Sequence, residues 1–290
     1  MTNLTTMRIF PFVNCNYNCD YCTVYTGLKQ KPKYDLLAPE KWIESIKRAA
    51  PFFKKDFQIV ISGGEPTMYR DFVKLCDGLN GFNVVVYTNL SPFAHEKLMQ
   101  LEHPVKIYPS FHNKMEGGDL KGWLSRLMDI KKQGHYICLQ HAINDGSEGI
   151  ETLPDFIVKP NLEGYLDGKY HSPYVNECRV DGKELRKVRC ATWQFAVAPD
   201  GDIYNCQSGF WKKESYYRLG NIQTIEWEKF PQYIECEFCG LCHVCAAGKV
   251  IAEMDGKAIT DKWQYIPALQ KDEQFVYKYT TTIERGSMNE

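Results

Sequence analysis

Three closely spaced cysteines are the residues of this chain best suited to metal chemistry. They form the run Cys15-Asn-Tyr-Asn-Cys19-Asp-Tyr-Cys22, directly after an apolar segment, residues 7–13, that is typical of a first strand. A cube-shaped [4Fe-4S] cluster has four irons and usually takes four cysteine ligands. The spacing therefore indicates a cluster held by three thiolates, with one iron left open for a small molecule.

Zinc and disulfide bonds are the two alternatives for this triplet. A zinc site usually takes four Cys or His ligands in two separated pairs, and the next histidine is His95, far downstream. Disulfides form mainly in secreted proteins. We expect no signal peptide, since the N-terminus lacks a charged segment followed by an apolar core, and therefore we favour the cluster.

Composition narrows the class of protein. The chain has 290 residues, 44% of them hydrophobic, which is enough for a large α/β domain. Its formal net charge of −1 provides no positive field that would attract nucleic acid. No apolar run approaches the roughly 18 residues needed to span a bilayer. We expect a cytoplasmic, soluble protein with no membrane partner, and the near-neutral charge disfavours a nucleic-acid partner.

Strand-like and helix-like segments alternate in the first half of the chain. Strands are predicted at residues 57–62, 82–87, 105–108, 136–143 and 155–158, after the first at 7–13. Helices are predicted at residues 39–50, 69–79, 91–101 and 119–134 between them. This alternation predicts βα units and a parallel sheet. The fold class is α/β, a partial (β/α)6 TIM-like barrel with a small C-terminal β-hairpin and cysteine-rich cluster domain.

Polar residues follow several of these strands. They are Gly63-Gly64-Glu65-Pro66, Thr88-Asn89, and Ser110 with His112. In βα barrels the carboxyl ends of the strands meet at one face, where the chemistry takes place. We expect these groups to lie beside the cysteine triplet. The two glycines would let the main chain approach a ligand, and the Glu65 carboxylate could bind an ammonium group.

The second half carries a different pattern. Two alternating strands are predicted on either side of the turn Pro199-Asp200-Gly201, with Cys190 and Cys206 at their outer ends, near each other if the strands pair. Four more cysteines follow in steps of three: Cys236, Cys239, Cys242 and Cys245. This spacing favours a second iron–sulfur site, with a four-cysteine zinc site as the alternative.

The predicted organisation has four parts. They are a barrel over residues 1–160, a bridging region over 161–189, an auxiliary cluster domain over 190–256, and a tail over 257–290 that packs on the body. Cys76 is expected to be a core residue. Cys138 lies on a predicted barrel strand and is the one candidate for a hydrogen-atom donor.

These motifs resemble those of a known family. The triplet Cys15, Cys19 and Cys22 with Tyr21, followed by Gly63-Gly64-Glu65-Pro66 after the second strand, is similar to the radical S-adenosylmethionine (SAM) superfamily. Gly201-x4-Cys206 and the phrase Leu219-Gly220-Asn221-Ile222, with Trp227, resemble the SPASM/twitch group of auxiliary domains. With no cysteine after Cys245, the shorter twitch type with one auxiliary cluster fits best.

The resemblance implies a site and a reaction. SAM would chelate the open iron, with Gly63, Gly64 and Glu65 near its amino group and Tyr21 near the adenine. Thr88, Asn89 or Ser110 would reach the ribose or carboxylate. A flavodoxin- or ferredoxin-type donor would supply an electron, and the resulting 5′-deoxyadenosyl radical would take a hydrogen atom from the substrate.

The resemblance also implies an auxiliary [4Fe-4S] cluster. Its ligands would be Cys190, Cys206 and two of the four later cysteines, and four protein ligands would make it an electron acceptor. We expect a tailoring enzyme that oxidises, epimerises or cross-links a small polar metabolite, such as an amino sugar, or a peptide. No peptide-recognition domain is expected before the first strand, which favours a small molecule or a separate recognition protein. The alternatives are an activase, an RNA-modifying enzyme, or a non-enzymatic cluster or zinc protein.

Overall fold

The strands of the barrel form one open sheet in this computed structural model. The described residues are 4–19, 22, 33–112, 115–138, 141–144, 163–166, 169–171, 188–192, 194–205, 209–210, 217–231, 233–236, 247–254, 257–261, 264–267 and 277–280. Of residues 141–194 and 233–280 within these ranges, only the main chain is described. Within them, no helix is both long and apolar enough to cross a bilayer.

Ten strands lie side by side in the main sheet. They are β1 (Thr6–Phe12), β2 (Gln58–Gly63), β3 (Asn83–Thr88), β4 (Lys106–His112), β6 (His141–Asn144), β7 (Glu163–Leu166), β8 (Lys169–His171), β10 (Gln194–Val197), β11 (Asp202–Tyr204) and β12 (Arg218–Asn221). Their order is β12-β11-β10-β1-β2-β3-β4-β6-β7-β8, and the two-residue β5 (Tyr136–Ile137) also pairs with β4. The row from β10 to β7 is parallel, which confirms the predicted α/β class and partial barrel.

Four helices cover the outer face of this sheet. They are α1 (Pro39–Ala49), α2 (Phe72–Gly78), α3 (Pro92–Leu98) and α4 (Leu120–Lys132). The core between the helices and the sheet includes Trp42 of α1, Trp123 of α4 and Ile59, Ile61 and Val86 of the strands, all 0% exposed. The alternate residues of each strand therefore face the other way, toward the barrel interior.

The helix starts follow the sequence signals. The Ser91 hydroxyl accepts a hydrogen bond from the Ala94 amide at 3.3 Å, ahead of Pro92, and Asp119 accepts one from the Gly122 amide at 2.8 Å. These side chains satisfy amide donors that a helix leaves free in its first turn. The second predicted helix is shorter than expected, since a 3-10 turn at Pro66–Met68 precedes it.

Two strands differ from the prediction. The fourth runs on to His112, so Ser110 and His112 belong to the strand and not to the loop after it. The fifth is divided into β5 and β6, and both pairs are formed with β4. The predicted strand at residues 155–158 lies outside the described residues. Its position beside β6 is taken by β7, in the segment that was predicted to be a bridging region.

The predicted hairpin forms, but it extends the barrel sheet. β10 and β11 are antiparallel around Gly201, which has φ +86° as the turn prediction required. β10 also pairs in parallel with β1, Phe195 opposite Met7. The Arg48 guanidinium of α1 donates to the Ile222 carbonyl at 2.5 Å, and the Leu37 amide donates to the Pro199 carbonyl at 2.9 Å. The division into domains stays a prediction.

A second, antiparallel sheet contains strands of the cysteine-rich part. It has the order β13-β9-β14-β15, from β9 (Val188–Thr192), β13 (Tyr233–Cys236), β14 (Ala247–Met254) and β15 (Lys257–Asp261). Cys190 lies in β9 and not in the β10–β11 hairpin, and it pairs with Ile234 of β13. A two-stranded sheet, β16 (Gln264–Pro267) with β17 (Tyr277–Thr280), lies in the tail.

Candidate active site

The cysteine triplet lies at the carboxyl edge of the parallel sheet, in the loop that follows β1. None of the three cysteines forms a disulfide within the described residues, and Cys19 is buried while Cys15 and Cys22 are partly exposed. The Cys22 amide donates to the Cys19 carbonyl at 3.2 Å, and the Tyr17 amide points at the Cys15 sulfur at 3.3 Å. This amide is placed to stabilise a thiolate, which is the form that binds iron.

Burial acts in the opposite direction on Cys15. Burial, with smaller contributions from the Glu65 carboxylate and the neighbouring Cys22 and Cys19 sulfurs, raises the pKa of this thiol to about 12. A protein group in this state remains protonated at neutral pH unless a cation is bound. A metal centre supplies that positive charge and deprotonates a coordinating thiol.

The two predicted glycines join the end of β2 to the cysteine loop. The Gly64 amide donates to the Phe12 carbonyl at 3.3 Å, and the Glu65 amide donates to the Asn14 carbonyl at 2.9 Å. A Cβ atom on Gly63 would lie 2.0 Å from the Phe12 oxygen, and one on Gly64 would lie 2.3 Å from the Asn14 oxygen. Gly63 also has φ +149°. The glycines are therefore required by main-chain packing within the protein, whatever ligand they approach.

The Glu65 side chain is fully buried and holds the ends of two strands together. Its carboxylate accepts hydrogen bonds from the Thr67 amide and hydroxyl (3.2 and 2.7 Å), the Thr88 hydroxyl (3.0 and 3.1 Å) and the Asn89 amide (2.8 Å). Burial raises the pKa of Glu65, while these hydrogen bonds lower it. The carboxylate is committed to donors of the protein, which sequence reasoning did not anticipate.

Thr88 and Asn89 also turn inward. Thr88 is 4% exposed and Asn89 is 5% exposed. The side-chain Nδ2 of Asn89 donates to the Cys15 sulfur at 3.7 Å and to Oδ1 of Asn16 at 2.8 Å. The side-chain Nδ2 of Asn16 in turn donates to the Ser91 hydroxyl at 2.9 Å. Asn89, which follows β3, thus holds the start of the cysteine loop through Cys15 and Asn16.

Ser110 and His112 reach the triplet from β4. The Ser110 hydroxyl lies 2.9 Å from Nε2 of His112, and Nδ1 of the same ring lies 3.7 Å from the Cys19 sulfur. The His112 ring also meets the Tyr17 ring edge-on, with centroids 5.8 Å apart. Among the described residues predicted to bind SAM, Ser110 has a side chain that is only partly buried, whereas Glu65, Thr88 and Asn89 are buried.

A buried ion pair that the sequence did not reveal anchors the middle of the cysteine loop. The Tyr17 hydroxyl donates to Glu116, and the Arg126 guanidinium of α4 donates to the same carboxylate at 2.6 Å. The side chains of Arg126 and Glu116 are 14% and 5% exposed. Arg126 also donates to the Leu90 carbonyl at 2.8 Å, and Leu90 has the unfavourable φ of +52°. The signal, two charged residues on helical and loop segments, is too common to have identified this contact.

Cys138 lies away from the triplet, on the interior side of the sheet. It packs with Tyr87, Tyr108, Val60 and Val85. Burial raises the pKa of its thiol to about 11, so the protonated form dominates at neutral pH.

The other predicted ligands are not described at the level of side chains. Tyr21, Cys206, Cys239, Cys242 and Cys245 lie outside the described residues. Cys190 and Cys236 are placed by their main chain only, on the paired strands β9 and β13.

The donor set at the triplet fits an iron–sulfur cluster with an open iron. It consists of three cysteine thiols that form no disulfide within the described residues, with the Tyr17 amide pointing at the Cys15 sulfur. Among the described residues, no group of three Cys, His, Asp or Glu side chains is placed to hold a single ion. In a cluster each thiolate binds a different iron, so this finding does not bear on the cluster.

Parts of the chain are similar to known proteins. Residues 9–134 match the model of the radical SAM superfamily. A stretch of 72 residues is 38% identical to molybdenum cofactor biosynthesis protein 1 of Drosophila melanogaster, covering 24% of this chain and 12% of that protein. The cysteine triplet and Gly63-Gly64-Glu65 lie within the segment that matches the radical SAM model.

Solved structures share the fold. SuiB of Streptococcus suis, bound to its precursor peptide SuiA, aligns with a TM-score of 0.53 at 14% identity, over 78% of this chain and 64% of SuiB. The protein anSMEcpe with bound SAM aligns with a TM-score of 0.51 at 19% identity, over 78% of each chain. This chain thus spans a small part of the curated relative and somewhat less than two thirds of SuiB.

Proposed function

We propose that this protein is a radical SAM tailoring enzyme that acts on a peptide or a small polar metabolite. The observation that carries the proposal is the joining of the three-cysteine loop to Gly63-Gly64-Glu65 by two main-chain hydrogen bonds at the carboxyl edge of a parallel sheet. A cluster bound by Cys15, Cys19 and Cys22 would supply, with SAM and one electron, the 5′-deoxyadenosyl radical. The net change would be oxidation, epimerisation or cross-linking.

The residues of the chain have separate tasks in this proposal. Cys15, Cys19 and Cys22 hold the cluster. Since the Glu65 carboxylate is occupied by protein donors, the main-chain carbonyls of the Gly63–Gly64 turn would face the SAM ammonium, and Glu65 would position that turn. Ser110 is the side chain best placed for the SAM ribose or carboxylate, because it is partly exposed.

The likeness in fold to SuiB supports one of the two proposed substrate classes. SuiB, which shares the fold, is bound to a precursor peptide in its structure, and this supports the peptide branch of the proposal. A flavodoxin- or ferredoxin-type protein is the proposed electron donor. Cys138, with its protonated thiol in the barrel interior, is a candidate hydrogen-atom donor to a substrate radical.

An auxiliary [4Fe-4S] cluster is part of the proposal. Its ligands would be Cys190, Cys206 and two of the cysteines from Cys236 to Cys245. The register supports one pair: Cys190 is opposite Ile234, and Cys236 is opposite Val188 on the adjacent antiparallel strand. The two cysteines are therefore two positions apart along the same strand pair. Such a cluster would accept an electron from the substrate.

The test is formation of 5′-deoxyadenosine. The full chain is reconstituted anaerobically with iron and sulfide, reduced, given SAM, and analysed by liquid chromatography and mass spectrometry. We expect 5′-deoxyadenosine from the wild type and none from a Cys15/Cys19/Cys22→Ala triple variant. A folded, iron-loaded wild type that forms none would exclude the proposal and favour a non-enzymatic cluster protein.

Iron and sulfide content tests the auxiliary cluster separately. We expect about eight irons per chain in the wild type and about four in the triple variant, as for two [4Fe-4S] clusters. About four irons in the wild type, with none in the variant, would assign the later cysteines to zinc or to structure.

A further inference from the structure

The inner face of the parallel sheet carries a cluster of polar side chains, of which only Cys138 has a part in the proposed function. We name it the inner-face cluster, and it consists of Arg8, Tyr87, Lys106, Tyr108 and Cys138. Tyr87 and Cys138 pack against Val60, Val85 and Tyr108, a group separate from the core under the helices. These side chains therefore point into the barrel and not toward the helices.

Strand register places this cluster on the face of the sheet that carries Ser110, nearer the amino ends of the strands than the cysteine loop. Arg8 is opposite Val60 of β2, Val60 is opposite Val85 of β3, and Tyr87 is opposite Tyr108 of β4. Tyr108 and Ser110 share one face of β4, about 7 Å apart along the strand. Ser110 contacts His112, which reaches the Cys19 sulfur. A molecule held at the inner-face cluster would therefore lie close to the SAM site.

Arg8 is the unusual member. Its guanidinium carbon lies 5.1 Å from the centre of the Tyr87 ring. Arg8 is aligned with Val85 through Val60, and Tyr87 follows Val85 by two residues toward the carboxyl end of β3. The guanidinium thus extends toward the cysteine loop. Within the described part of the chain Arg8 forms no ion pair, and its buried Nε has no hydrogen-bond partner. A buried donor without an acceptor is unfavourable, and an incoming anion would supply the missing acceptor.

The surroundings of Arg8 favour an anion over a neutral group. Lys106 lies on β4 opposite Val85, and its charge is close enough to act on Cys138. Tyr87 holds the guanidinium by its ring face and meets Tyr108 edge-on, with centroids 5.1 Å apart. A guanidinium fixed on an aromatic ring keeps its N–H edge available and binds planar oxyanions in two-point contacts.

We propose that Arg8, supported by Lys106 and oriented by Tyr87, binds an oxyanion of the substrate, a carboxylate or a phosphoryl group. This inference rests on the proposed function, because it assigns the substrate of the same barrel. The anion would be anchored deep in the barrel, and the part of the substrate above it would face the SAM site.

The experiment measures anion binding without SAM and without turnover. Isothermal titration calorimetry is carried out on the anaerobically reconstituted full chain with glutarate, with inorganic phosphate, and with glutaramide as the neutral counterpart, at constant ionic strength. We expect glutarate or phosphate, but not glutaramide, to bind the wild type, and the dissociation constant to rise at least tenfold in Arg8→Met. The anion with the higher affinity identifies the group as carboxylate or phosphoryl.

Two controls separate a site from a general charge effect. Arg70→Met removes an arginine whose side chain is 91% exposed, and it should bind as the wild type does. Arg8→Lys keeps the charge but loses the two-point contact, so it should bind with intermediate affinity. It also serves if Arg8→Met does not fold, which circular dichroism will show.

Equal anion affinity in Arg8→Met and the wild type would overturn the proposal, as would binding of glutaramide as tight as that of glutarate or no anion binding at all. An anion that coordinates the open iron would be unaffected by the Arg8 variants. Formation of 5′-deoxyadenosine with no Arg8-dependent anion binding would refute this inference alone. Failure of that reaction would refute the proposed function, whatever the calorimetry shows.

Discussion

At the level of single residues, Glu65 is the buried charge on which the site depends. Four protein groups donate to its carboxylate, from Thr67, Thr88 and Asn89. The sequence suggested a ligand for an ammonium group, and the structure shows a carboxylate that joins the ends of β2 and β3. Both roles require the same residue type, since an acceptor with several lone pairs is needed in each.

Replacing Glu65 tests this role. Glu65→Ala leaves buried donors without an acceptor, at about 1–3 kcal/mol for each group, so we expect the free energy of unfolding to fall by at least about 2 kcal/mol. Urea denaturation followed by circular dichroism measures the change. Glu44→Ala, on the exposed face of α1, should change stability by less than about 0.5 kcal/mol. A fall no larger than that of the control would show that the carboxylate does not hold the strands.

Cys138 provides a pH-dependent prediction. Burial raises the pKa of its thiol from the ordinary 9.0 to about 11, so at pH 8 the thiolate fraction should be about a hundredfold below that of an ordinary cysteine. We expect the rate of alkylation by iodoacetamide, measured by mass spectrometry of the Cys138 peptide, to rise about tenfold for each pH unit between pH 8 and pH 10. Glutathione in the same tube is the reference. A rate that levels off near pH 9 would show an ordinary thiol.

At the level of elements, α4 acts as the support of the cysteine loop. Arg126 connects the β3–α3 turn at Leu90 with Glu116, and Glu116 holds Tyr17 between two cluster cysteines. The left-handed φ of Leu90 is a strained conformation that this contact helps to maintain. The loop thus depends on a helix far away in sequence.

Arg126→Met should expose that dependence. Removing one partner of a buried ion pair leaves an uncompensated carboxylate, and such changes typically cost about 3–5 kcal/mol. We expect the free energy of unfolding to fall within that range and the iron content after reconstitution to fall with it.

Lys132→Met on the same helix is the matched control, because its partner Asp129 is exposed and such surface pairs contribute about 0–1 kcal/mol. If Arg126→Met lost stability but kept full iron content, α4 would support the fold without supporting the loop.

At the level of the whole molecule, strand pairing and core packing join the hairpin to the barrel in the structure. β10 continues the barrel sheet beside β1, and Phe195 of β10 packs on Trp227 with ring centroids 5.6 Å apart. Trp227 is 2% exposed and belongs to the core that also holds the helices.

Trp227→Ala tests the cooperativity. Truncating a large buried aromatic costs about 3–5 kcal/mol, and the loss should lower the stability of barrel and hairpin together. Hydrogen exchange should show amides of β1 and of β10 opening with equally reduced free energies. Phe93→Ala, at a position 42% exposed, should leave both unchanged. Faster exchange confined to β10–β12 would instead show an independently folding hairpin.

Much of the fold and part of the site could be predicted from the sequence. Alternating apolar segments identified the strands and helices, because burial of one face imposes a period on the chain. Local signals were equally reliable where their effect is local: Ser91 and Asp119 cap their helices, and Gly201 takes the positive φ of its turn. The cysteine spacing predicts a cluster-binding loop, and this loop lies within residues 9–134, which match the radical SAM model.

Only the tertiary structure decided which groups meet. The sequence determined that Glu65, Thr88 and Asn89 follow strands, but not that they bond to one another. Tyr17 and Glu116 are 99 residues apart, and the pairing of β10 with β1 joins the two halves of the chain. The physical reason is that hydrophobic period reports which face is buried and not which partner buries it. Partners across long separations are selected by packing of the whole chain.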